Sequence, residues 1–592
     1  MIDKEVARLF DRRSALFLTG GTVLTSVLVL RMLQMQLFNY REYSKKSQNN
    51  SYRVQLDIAQ RGQILAEDGT PISRDVPIYR IYIIPEESKN IDELLDIISK
   101  DLKLKEKAVK NIKKKINKQP KFQPVLVSEN TNWETLAKIQ AKNLNGVHVE
   151  SAYGRIYELG PAGAQIFGYV GAPNKPVANA PFYTTGITGI ENKFNDELSG
   201  VPGQTVMITN AVGRVTGEDK SQFIPSVPGH DIHTTINENI QRKLYDALTQ
   251  HRSGCGVVLD IKTGDIIAMV STPSFDPNIF RTNDSDEYIS NLRNDYAKPF
   301  MNKAIEGLYP PGSTFKIVVA LAGLESGAIT EKEKIYCPGH WDYGDRRFHC
   351  WEDKGHGNVD LYGALKHSCD IYFYQIALRI GIDAIKEMAV KLGFTEKFMD
   401  DVLAREMAGV MPDRRWKEKQ IGYKWLHGDT ILSGIGQGFI LANCLQLATM
   451  MARVTSNKEV IPQIIKNKKT PKFKNLRLQE KNIKHVLKGL EQVLQTGGTA
   501  AGSAINVNGM RMGGKTGTSQ VRSISKKERE SGVLTNEQLK WNMRNHGLFV
   551  GYAPLNTPKY AVCVITEHSG SSTPAARTAS AVMRELLTMD TK

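Results

Sequence analysis

A serine and a lysine three residues apart are the first residues of this chain whose types and spacing suggest chemistry. Ser313 and Lys316 follow the break Pro310-Pro311-Gly312 and precede the apolar run Ile317 to Leu324. Because Pro-Pro-Gly does not fit inside a helix, the sequence predicts a helix that begins near Ser313. Both side chains would lie on one face near the positive end of the helix dipole, as a candidate nucleophile and base. Alone, the pattern is more typical of an N-capping serine followed by a surface lysine.

Two further motifs downstream change this interpretation. Ser368-Cys369-Asp370 lies at the edge of a predicted helix, and Lys515-Thr516-Gly517-Thr518 lies in a predicted strand. Each is weak alone, and Lys-Thr-Gly by itself is more often a surface turn. Together and in this order they match the Ser-x-x-Lys, Ser-x-Asn and Lys-Thr-Gly set of active-serine, penicillin-recognising enzymes.

The segments around these motifs predict one large domain from residue 228 to 592. Its strands occur near both ends and its helices in the middle, which predicts an α+β fold whose terminal segments meet in one antiparallel sheet. The predicted elements are a helix from Asn237 to His251, a hairpin over 256–271, helices from Phe315 to Met450, strands from Met510 to Glu567 and a helix near Pro574 to Leu587.

The N-terminal segment has the character of a membrane anchor. Residues 1–13 form a short basic tail, Ser14 to Leu30 carry no charge, and Arg31 interrupts a continuation to Leu37. We predict an uncleaved transmembrane helix over 14–37 with Arg31 at the interface, the tail inside and the bulk of the chain outside. A cleaved signal peptide and a buried soluble helix are the alternatives.

Residues 38–227 alternate short strands and turns and predict a membrane-proximal α+β module. Tyr79 to Ile84 has the alternation of a strand, and Gln165 to Gly171 also reads as one. An inserted subdomain is predicted over about 86–150. It is lysine-rich between Lys103 and Lys121, which is more typical of a solvated helix face than of a binding site.

Composition limits the functional classes. The 592 residues carry a net charge of +16, but the basic residues are scattered and no nucleic-acid-binding motif appears, so we predict no nucleic-acid partner. A basic exterior suits a protein beside an anionic membrane or an acidic polymer. Six cysteines are too few for a disulfide scaffold.

With its three motifs in order, the chain resembles the class B penicillin-binding proteins, and within them the elongation type. Asp370, where most relatives carry Asn, is itself typical of that type. Ala66-Glu67-Asp68-Gly69 departs from the usual Asp-Arg-Asn-Gly, which puts local salt bridging in the membrane-proximal module in doubt. The resemblance covers nearly the whole chain and includes Arg61-Gly62-Gln63-Ile64, Gly189-Ile190-Glu191, Gly436-Gln437-Gly438, Gly498-Thr499-Ala500 and His546-Gly547-Leu548-Phe549.

The resemblance implies a β-lactamase-like transpeptidase domain, preceded by an elongated pedestal (38–227) and one anchor helix. Ser313 is expected to attack D-Ala-D-Ala donors, with uncharged Lys316 as base, Ser368 as proton relay and Asp370 as the residue that orients this network. Lys515, Thr516, Gly517 and Thr518 are expected to bind the substrate carboxylate, with the backbone N–H groups of Ser313 and Thr518 as the oxyanion hole.

The resemblance also implies a place and partners. A single-pass protein of the bacterial inner membrane, with its catalytic domain in the periplasm, would cross-link peptidoglycan stem peptides during elongation and be acylated by β-lactams. The implied protein partners are a SEDS-type glycosyltransferase and a rod-shape scaffold protein. A division-specific transpeptidase, a catalytically silent penicillin-recognising sensor and a β-lactamase are the alternatives, although no water-activating glutamate loop can be assigned for the last.

A second set of residues lies between the first two motifs. Cys337, Cys350, His356 and Cys369 have the composition of a closed tetrahedral zinc site, and Cys369 lies inside the second motif. The resemblance implies the same four ligands, with Asp342, Asp345 and His349 as nearby substitutes. A Cys337–Cys350 disulfide and reduced buried thiols are the alternatives. Cys255, Cys444 and Cys563 are predicted to be core residues.

Overall fold

The computed structural model describes residues 4–39, 52–175, 177, 180, 182–210, 215–281, 285–467, 469–522, 528 and 533–591. Helix α1 (Lys4–Leu33) opens the chain and continues as a π-helical turn, Gln34–Phe38. By length and composition, its segment Arg13–Leu37 could cross a membrane, and none of it is buried. Within the described ranges it is the only such helix. The predicted anchor over 14–37 therefore coincides with one exposed apolar helix, although the helix itself begins at Lys4, within the predicted tail.

Among the described residues, nine strands and six helices lie in the membrane-proximal module, and strand β10 follows the module and joins its main sheet. The long strand β3 is the centre of its main sheet, in which β10, β2, β3 and β4 follow one another and β5 pairs with β3 along its whole length. A separate three-stranded sheet has the order β1-β8-β9. The strands are β1 (Tyr52–Asp57), β2 (Ile64–Leu65), β3 (Pro71–Ile83), β4 (Val125–Thr131), β5 (Val147–Tyr157), β6 (Val170–Gly171), β7 (Thr185–Gly186), β8 (Gly203–Thr209), β9 (Val215–Ile224) and β10 (Ile232–His233). The helices are α2 (Ile91–Asp101), α3 (Glu106–Lys118), α4 (Trp133–Gln140), α5 (Ala164–Phe167), α6 (Gly189–Lys193) and α7 (Asn195–Ser199).

The inserted subdomain has its own small core. Ile98 of α2 and Ile112 of α3 pack against Ile81, Ile83 and Val125 of the sheet. The remaining face of α3 carries the lysines and is exposed, as the sequence predicted.

The C-terminal domain is built on a five-stranded antiparallel sheet with the order β12-β11-β21-β20-β19. Strands from both ends of the domain therefore meet in one sheet, which confirms the prediction. The strands of the domain are β11 (Gly254–Asp260), β12 (Ile266–Thr272), β13 (Ile335–Cys337), β14 (His340–Tyr343), β15 (Arg346–His349), β16 (Gly357–Val359), β17 (Asn506–Val507), β18 (Met510–Arg511), β19 (Gly513–Ser519), β20 (His546–Ala553) and β21 (Tyr560–Thr566). The helices are α8 (Glu238–Thr249), α9 (Ser285–Asn294), α10 (Lys316–Glu325), α11 (Leu361–Lys366), α12 (Asp370–Lys391), α13 (Arg414–Ile421), α14 (His427–Ser433), α15 (Cys444–Ser456), α16 (Glu480–Gln492) and α17 (Thr573–Met589).

Successive side chains of β11 belong to two different cores, one on each face of the sheet, and each core contains helices. Val257 and Leu259 belong to the large core that also contains α15, whereas Val258 belongs to the core that contains α8 and α17. Because successive side chains of a strand point to opposite faces, this division follows from the sequence of β11 itself.

The large core continues into the membrane-proximal module. Ile64, Ile166 and Phe167 are buried in the same cluster as the helices of the C-terminal domain. The predicted strand over Gln165 to Gly171 is wrong in its first half, because Ala164–Phe167 forms a helical turn and strand β6 begins only at Val170. Gly168 separates the two with φ +75°, a conformation that favours glycine.

Candidate active site

The Ser313 turn is held close to its neighbours by glycines. Gly312–Phe315 forms a 3₁₀ turn that leads into α10, and Ser313 is partly accessible while Lys316 is fully buried. Gly312 has φ +53°, and a Cβ there would lie 2.6 Å from the carbonyl oxygen of Thr518. A Cβ at Gly436 would lie 2.3 Å from the carbonyl oxygen of Gly312, whose N–H donates to Gly436 O at 3.0 Å. The turn can therefore approach both neighbouring segments only with glycine at these positions.

Lys316 reaches from α10 into the second motif. Its Nζ donates to Ser368 O at 2.8 Å and Ser368 Oγ at 3.2 Å, and it forms an ion pair with Asp370 Oδ1 at 2.7 Å. Ser368 has φ +55°, an unusual conformation for a residue with a side chain that is typical of functional sites. Asp370 begins α12, where the helix dipole favours a carboxylate, but burial raises its pKa against the opposing effect of Lys316.

Strand β19 carries the third motif alongside this centre. Lys515 is fully buried, and burial together with the neighbouring Lys316 cation holds the pKa of its amine well below the usual range, which Asp370 partly offsets. Thr516 Oγ1 shares a hydrogen bond of 2.7 Å with Thr499 Oγ1. Thr518 is exposed, and its carbonyl accepts from Gln437 Nε2 at 3.2 Å.

The three motifs that are far apart in sequence thus meet at one place. The accessible Ser313 hydroxyl lies in a turn surrounded by two buried amines, a second hydroxyl and a carboxylate, which belong to Lys316, Lys515, Ser368 and Asp370. The exposed Thr518 of β19 lies beside this turn. Such a set can form and transfer an acyl group. Gln437 and Thr499 were recognised only as parts of motifs, because their contacts with β19 depend on the tertiary fold.

The predicted metal ligands also come together. One ligand atom from each of Cys337, Cys350, His356 and Cys369 lies within 4.8 Å of the others. The three thiols are buried, and His356 Nδ1 is 3.6 Å from Cys337 Sγ and 3.5 Å from Cys350 Sγ. All six cysteines are free thiols. The cluster is joined to the active site, because the Asp370 N–H donates to Cys350 Sγ at 3.4 Å.

The thiols of Cys337 and Cys350 favour the thiolate form within this cluster. Hydrogen bonds from Cys369 lower the pKa of Cys350 to about 3 and that of Cys337 to about 6, and the bond to Cys350 raises the pKa of His356 to about 9. Thiolates are the ligand form of cysteine, so this buried Cys₃His cluster could hold a metal ion. The nearby substitute Asp342 instead forms an exposed ion pair with Arg347 at 2.7 Å.

The fold and the motifs define an active-serine acyltransferase, and comparison with known proteins identifies its family. Residues 57–234 match the penicillin-binding protein dimerisation domain, and residues 254–588 match the penicillin-binding protein transpeptidase domain. The chain therefore belongs to the penicillin-binding proteins that carry a transpeptidase domain.

Particular relatives are similar over almost the full length. The peptidoglycan D,D-transpeptidase MrdA of Haemophilus influenzae is 32% identical, over 98% of this chain and 92% of that protein. A penicillin-binding protein (PBP2) of Helicobacter pylori, solved in complex with MreC, is 25% identical with a TM-score of 0.75, covering 91% of this chain and 99% of that one. PBP2 of Pseudomonas aeruginosa, solved in complex with WCK 5153, is 28% identical with a TM-score of 0.63, covering 90% and 96%.

Proposed function

We propose that this chain cross-links peptidoglycan during cell elongation through an acyl-enzyme on Ser313. As a member of its family it is a serine-type peptidoglycan D,D-transpeptidase. The observation that carries the proposed roles is the position of Lys316 Nζ, buried behind an accessible Ser313 and within hydrogen-bond distance of Ser368 and Asp370.

The acylation step follows from these contacts. Ser313 Oγ attacks the carbonyl carbon of the penultimate D-Ala and gives its proton to Lys316, which must be uncharged at that moment. Ser368 Oγ passes its proton to the nitrogen of the terminal D-Ala and takes one from protonated Lys316, the C–N bond breaks, and D-alanine leaves. The amine of an acceptor stem peptide then attacks the ester carbonyl and gives a proton to Lys316, the C–O bond to Ser313 breaks, and Lys316 returns that proton to Ser313 Oγ.

Charge and backbone geometry support the remaining roles that we propose. Lys515 with Thr516, Gly517 and Thr518 binds the terminal carboxylate of the donor, because a buried amine gains most from an anionic partner. The N–H groups of Ser313 and Thr518 hold the oxyanion. A β-lactam presents a similar carboxylate and carbonyl, so we expect it to acylate Ser313.

A fluorescent penicillin tests the nucleophile. Wild-type protein should carry one covalent adduct that maps to Ser313 by mass spectrometry, and Ser313→Ala should carry none. Ser326→Ala, at the end of the same helix, is the matched control and should label normally. A label that remains on Ser313→Ala would assign the nucleophile elsewhere, and no label on folded wild-type protein would favour a silent sensor.

We propose zinc as the ion of the Cys₃His cluster. Three thiolates and one imidazole are the ligand set of a closed structural site, and zinc there would brace the start of α12. Protein purified without chelator should contain about one zinc per chain, and Cys350→Ala should lose it while Cys255→Ala, in strand β11 and outside the ligand cluster, keeps it. A Cys337–Cys350 bridge without zinc would instead establish the disulfide.

The domain limits, place and partners are proposed from the same likeness. We place a tail at 1–13, the anchor at 14–37, the membrane-proximal module at 38–227 with its insertion near 86–150, and the transpeptidase domain at 228–592. The anchor would hold the chain in the bacterial inner membrane with the catalytic domain in the periplasm. The complex of the Helicobacter pylori protein with MreC supports a rod-shape scaffold partner, and a SEDS-type glycosyltransferase would supply the glycan strands. Depletion should give round cells, whereas filaments would indicate a division enzyme.

A further inference from the structure

Trp351 is an exposed tryptophan whose hydrogen-bond donors are all directed at the second catalytic motif. Its side chain is 56% exposed, which is unusual for so large an apolar group. Its backbone N–H nevertheless donates to Asp370 Oδ2 at 3.0 Å. Its indole Nε1–H donates to the carbonyl oxygens of His367 at 3.0 Å and Ser368 at 3.1 Å.

These acceptors are the groups that hold Lys316. Lys316 Nζ donates to the same Ser368 carbonyl oxygen and to the other oxygen of the same Asp370 carboxylate, at 2.8 and 2.7 Å. Trp351 belongs to neither α10 nor α12, since it directly follows Cys350 in the segment after β15. A third segment of the chain thus fixes the two groups through which the first and second motifs meet.

The segment between α11 and α12 needs such support. Ser368 is in the left-handed conformation, with φ +55°, which costs free energy for a residue with a side chain. The carbonyls of His367 and Ser368 both accept from the indole Nε1–H. Because the side chain is more than half exposed, its packing contributes less to the core than that of a buried tryptophan would. Its ring also lies 5.5 Å from that of His356, a proposed metal ligand, so the zinc content of a Trp351 variant has to be measured together with its rate.

We propose that Trp351 is a positioning residue for acyl transfer. It holds the Ser368 carbonyl and the Asp370 carboxylate so that Lys316 Nζ stays within reach of Ser368 Oγ and the Ser313 turn. The inference rests on the proposed function, because it assigns Trp351 to the acylation step on Ser313. Small displacements of catalytic groups reduce rates strongly. Among the described residues, no hydrogen bond or ring contact joins Trp351 to β19, where the ligand carboxylate is proposed to bind.

Stopped-flow measurement of acylation by a fluorescent penicillin separates an effect on the rate of acyl transfer from an effect on ligand binding. Trp351→Phe keeps the ring and removes the indole N–H, so the first-order acylation rate constant should fall about tenfold, as expected for one lost hydrogen bond. The dissociation constant of the non-covalent complex, the melting temperature and the zinc content should stay at wild-type values.

Trp341→Phe is the matched control. Trp341 lies in β14, packs against Tyr343 with ring centroids 5.3 Å apart, and no hydrogen bond joins it to either motif within the described residues. It should acylate at the wild-type rate.

Three results would overturn the proposal. The first is an unchanged acylation rate constant in Trp351→Phe. The second is a change confined to the dissociation constant, which would mean that the ring binds the ligand directly. The third is a loss of rate that accompanies a lower melting temperature or loss of the metal. Each is distinct from failure of the proposed function, in which the wild-type protein itself would not label at Ser313.

Discussion

At the scale of single residues, burial separates two accessible hydroxyl side chains of the candidate active site from its two lysines. Ser313 and Thr518 are accessible, whereas Lys316 and Lys515 are fully buried. The neighbouring Lys316 cation disfavours the charge of the buried Lys515 amine, and Asp370 is the anion that offsets this. The catalytic centre therefore has to be stabilised by the surrounding fold.

Glu406 shows the same cost of burial away from the active site. It is only 1% exposed, one carboxylate oxygen accepts from the Met399 N–H, and the other has no partner in the described part of the chain. Burial raises its pKa to about 7 from 4.5. Since the unfolded chain binds this proton less tightly, the native state loses stability as pH rises from about 4.5 to about 7.

Glu406→Gln should remove this pH dependence, because the amide stays neutral. A pKa difference of this size corresponds to about 3 kcal/mol. The melting temperature of the variant relative to wild type should therefore rise by several degrees between pH 5 and pH 8. Glu418→Gln, an exposed glutamate on α13, should show no such trend. If the melting temperatures of the variant and the wild type differed by the same amount at pH 5 and pH 8, Glu406 would be ionised at both pH values.

At the scale of elements, the site depends on how closely the Ser313 turn approaches the loop before Phe439. Gly436 and Gly438 both have positive φ, +68° and +80°. The space around the two glycines differs. A Cβ at Gly436 would lie 2.3 Å from Gly312 O and 2.6 Å from Phe315 Cβ. A Cβ at Gly438 would have Leu432 Cβ as its nearest atom, at 3.8 Å.

Gly436→Ala should displace the turn and reduce the acylation rate about 100-fold, because misplacing a nucleophile by roughly 1 Å costs about that much. Gly438→Ala carries the same backbone strain without the clash and is the control. It should lose stability of about 1 kcal/mol and keep most of its rate. Equal rates in both variants, measured by penicillin labelling, would show that the close approach does not position Ser313.

The same scale shows what the sequence could predict. The sheet and its helices were predictable because β11 and β12 are apolar runs joined by a tight turn and α8 has a regular amphipathic pattern with Asn237 as N-cap. The three motifs could be recognised in the sequence because their order and residue types are specific. The turn at Ala164–Phe167 was not, since an apolar stretch of that length fits a buried strand or a buried helical turn equally well.

Contacts that depend on the tertiary fold also could not be predicted from the sequence. Trp351 gave no signal beyond its place after Cys350, because its role depends on carbonyls sixteen and seventeen residues away. Glu406 is one of many acidic residues until the structure shows that it is buried.

At the scale of the whole molecule, a buried ion network lies in the membrane-proximal module. Glu191 is fully buried and accepts from Arg61 Nε at 2.6 Å and Arg155 Nε at 2.7 Å, and Arg155 also pairs with Asp75 at 3.3 Å. This network contains no residue of the altered Ala66–Gly69 segment. The neighbouring Ile190 and Leu198 belong to the core that continues into the transpeptidase domain.

Glu191→Ala should therefore weaken the active site from a distance. Leaving two buried arginines without their anion costs about 3–5 kcal/mol, and the shared core should transmit that loss to the transpeptidase domain. Samples heated to a series of temperatures can be divided, one part for limited proteolysis of the module and one part for penicillin labelling of Ser313. The midpoint temperatures of protease sensitivity and of lost labelling should both fall, and by the same amount. Glu158→Ala, which breaks the exposed pair with Arg74, should leave both within about a degree. If the module became protease-sensitive while Ser313 still labelled at the wild-type midpoint, the two domains would unfold independently despite their common core.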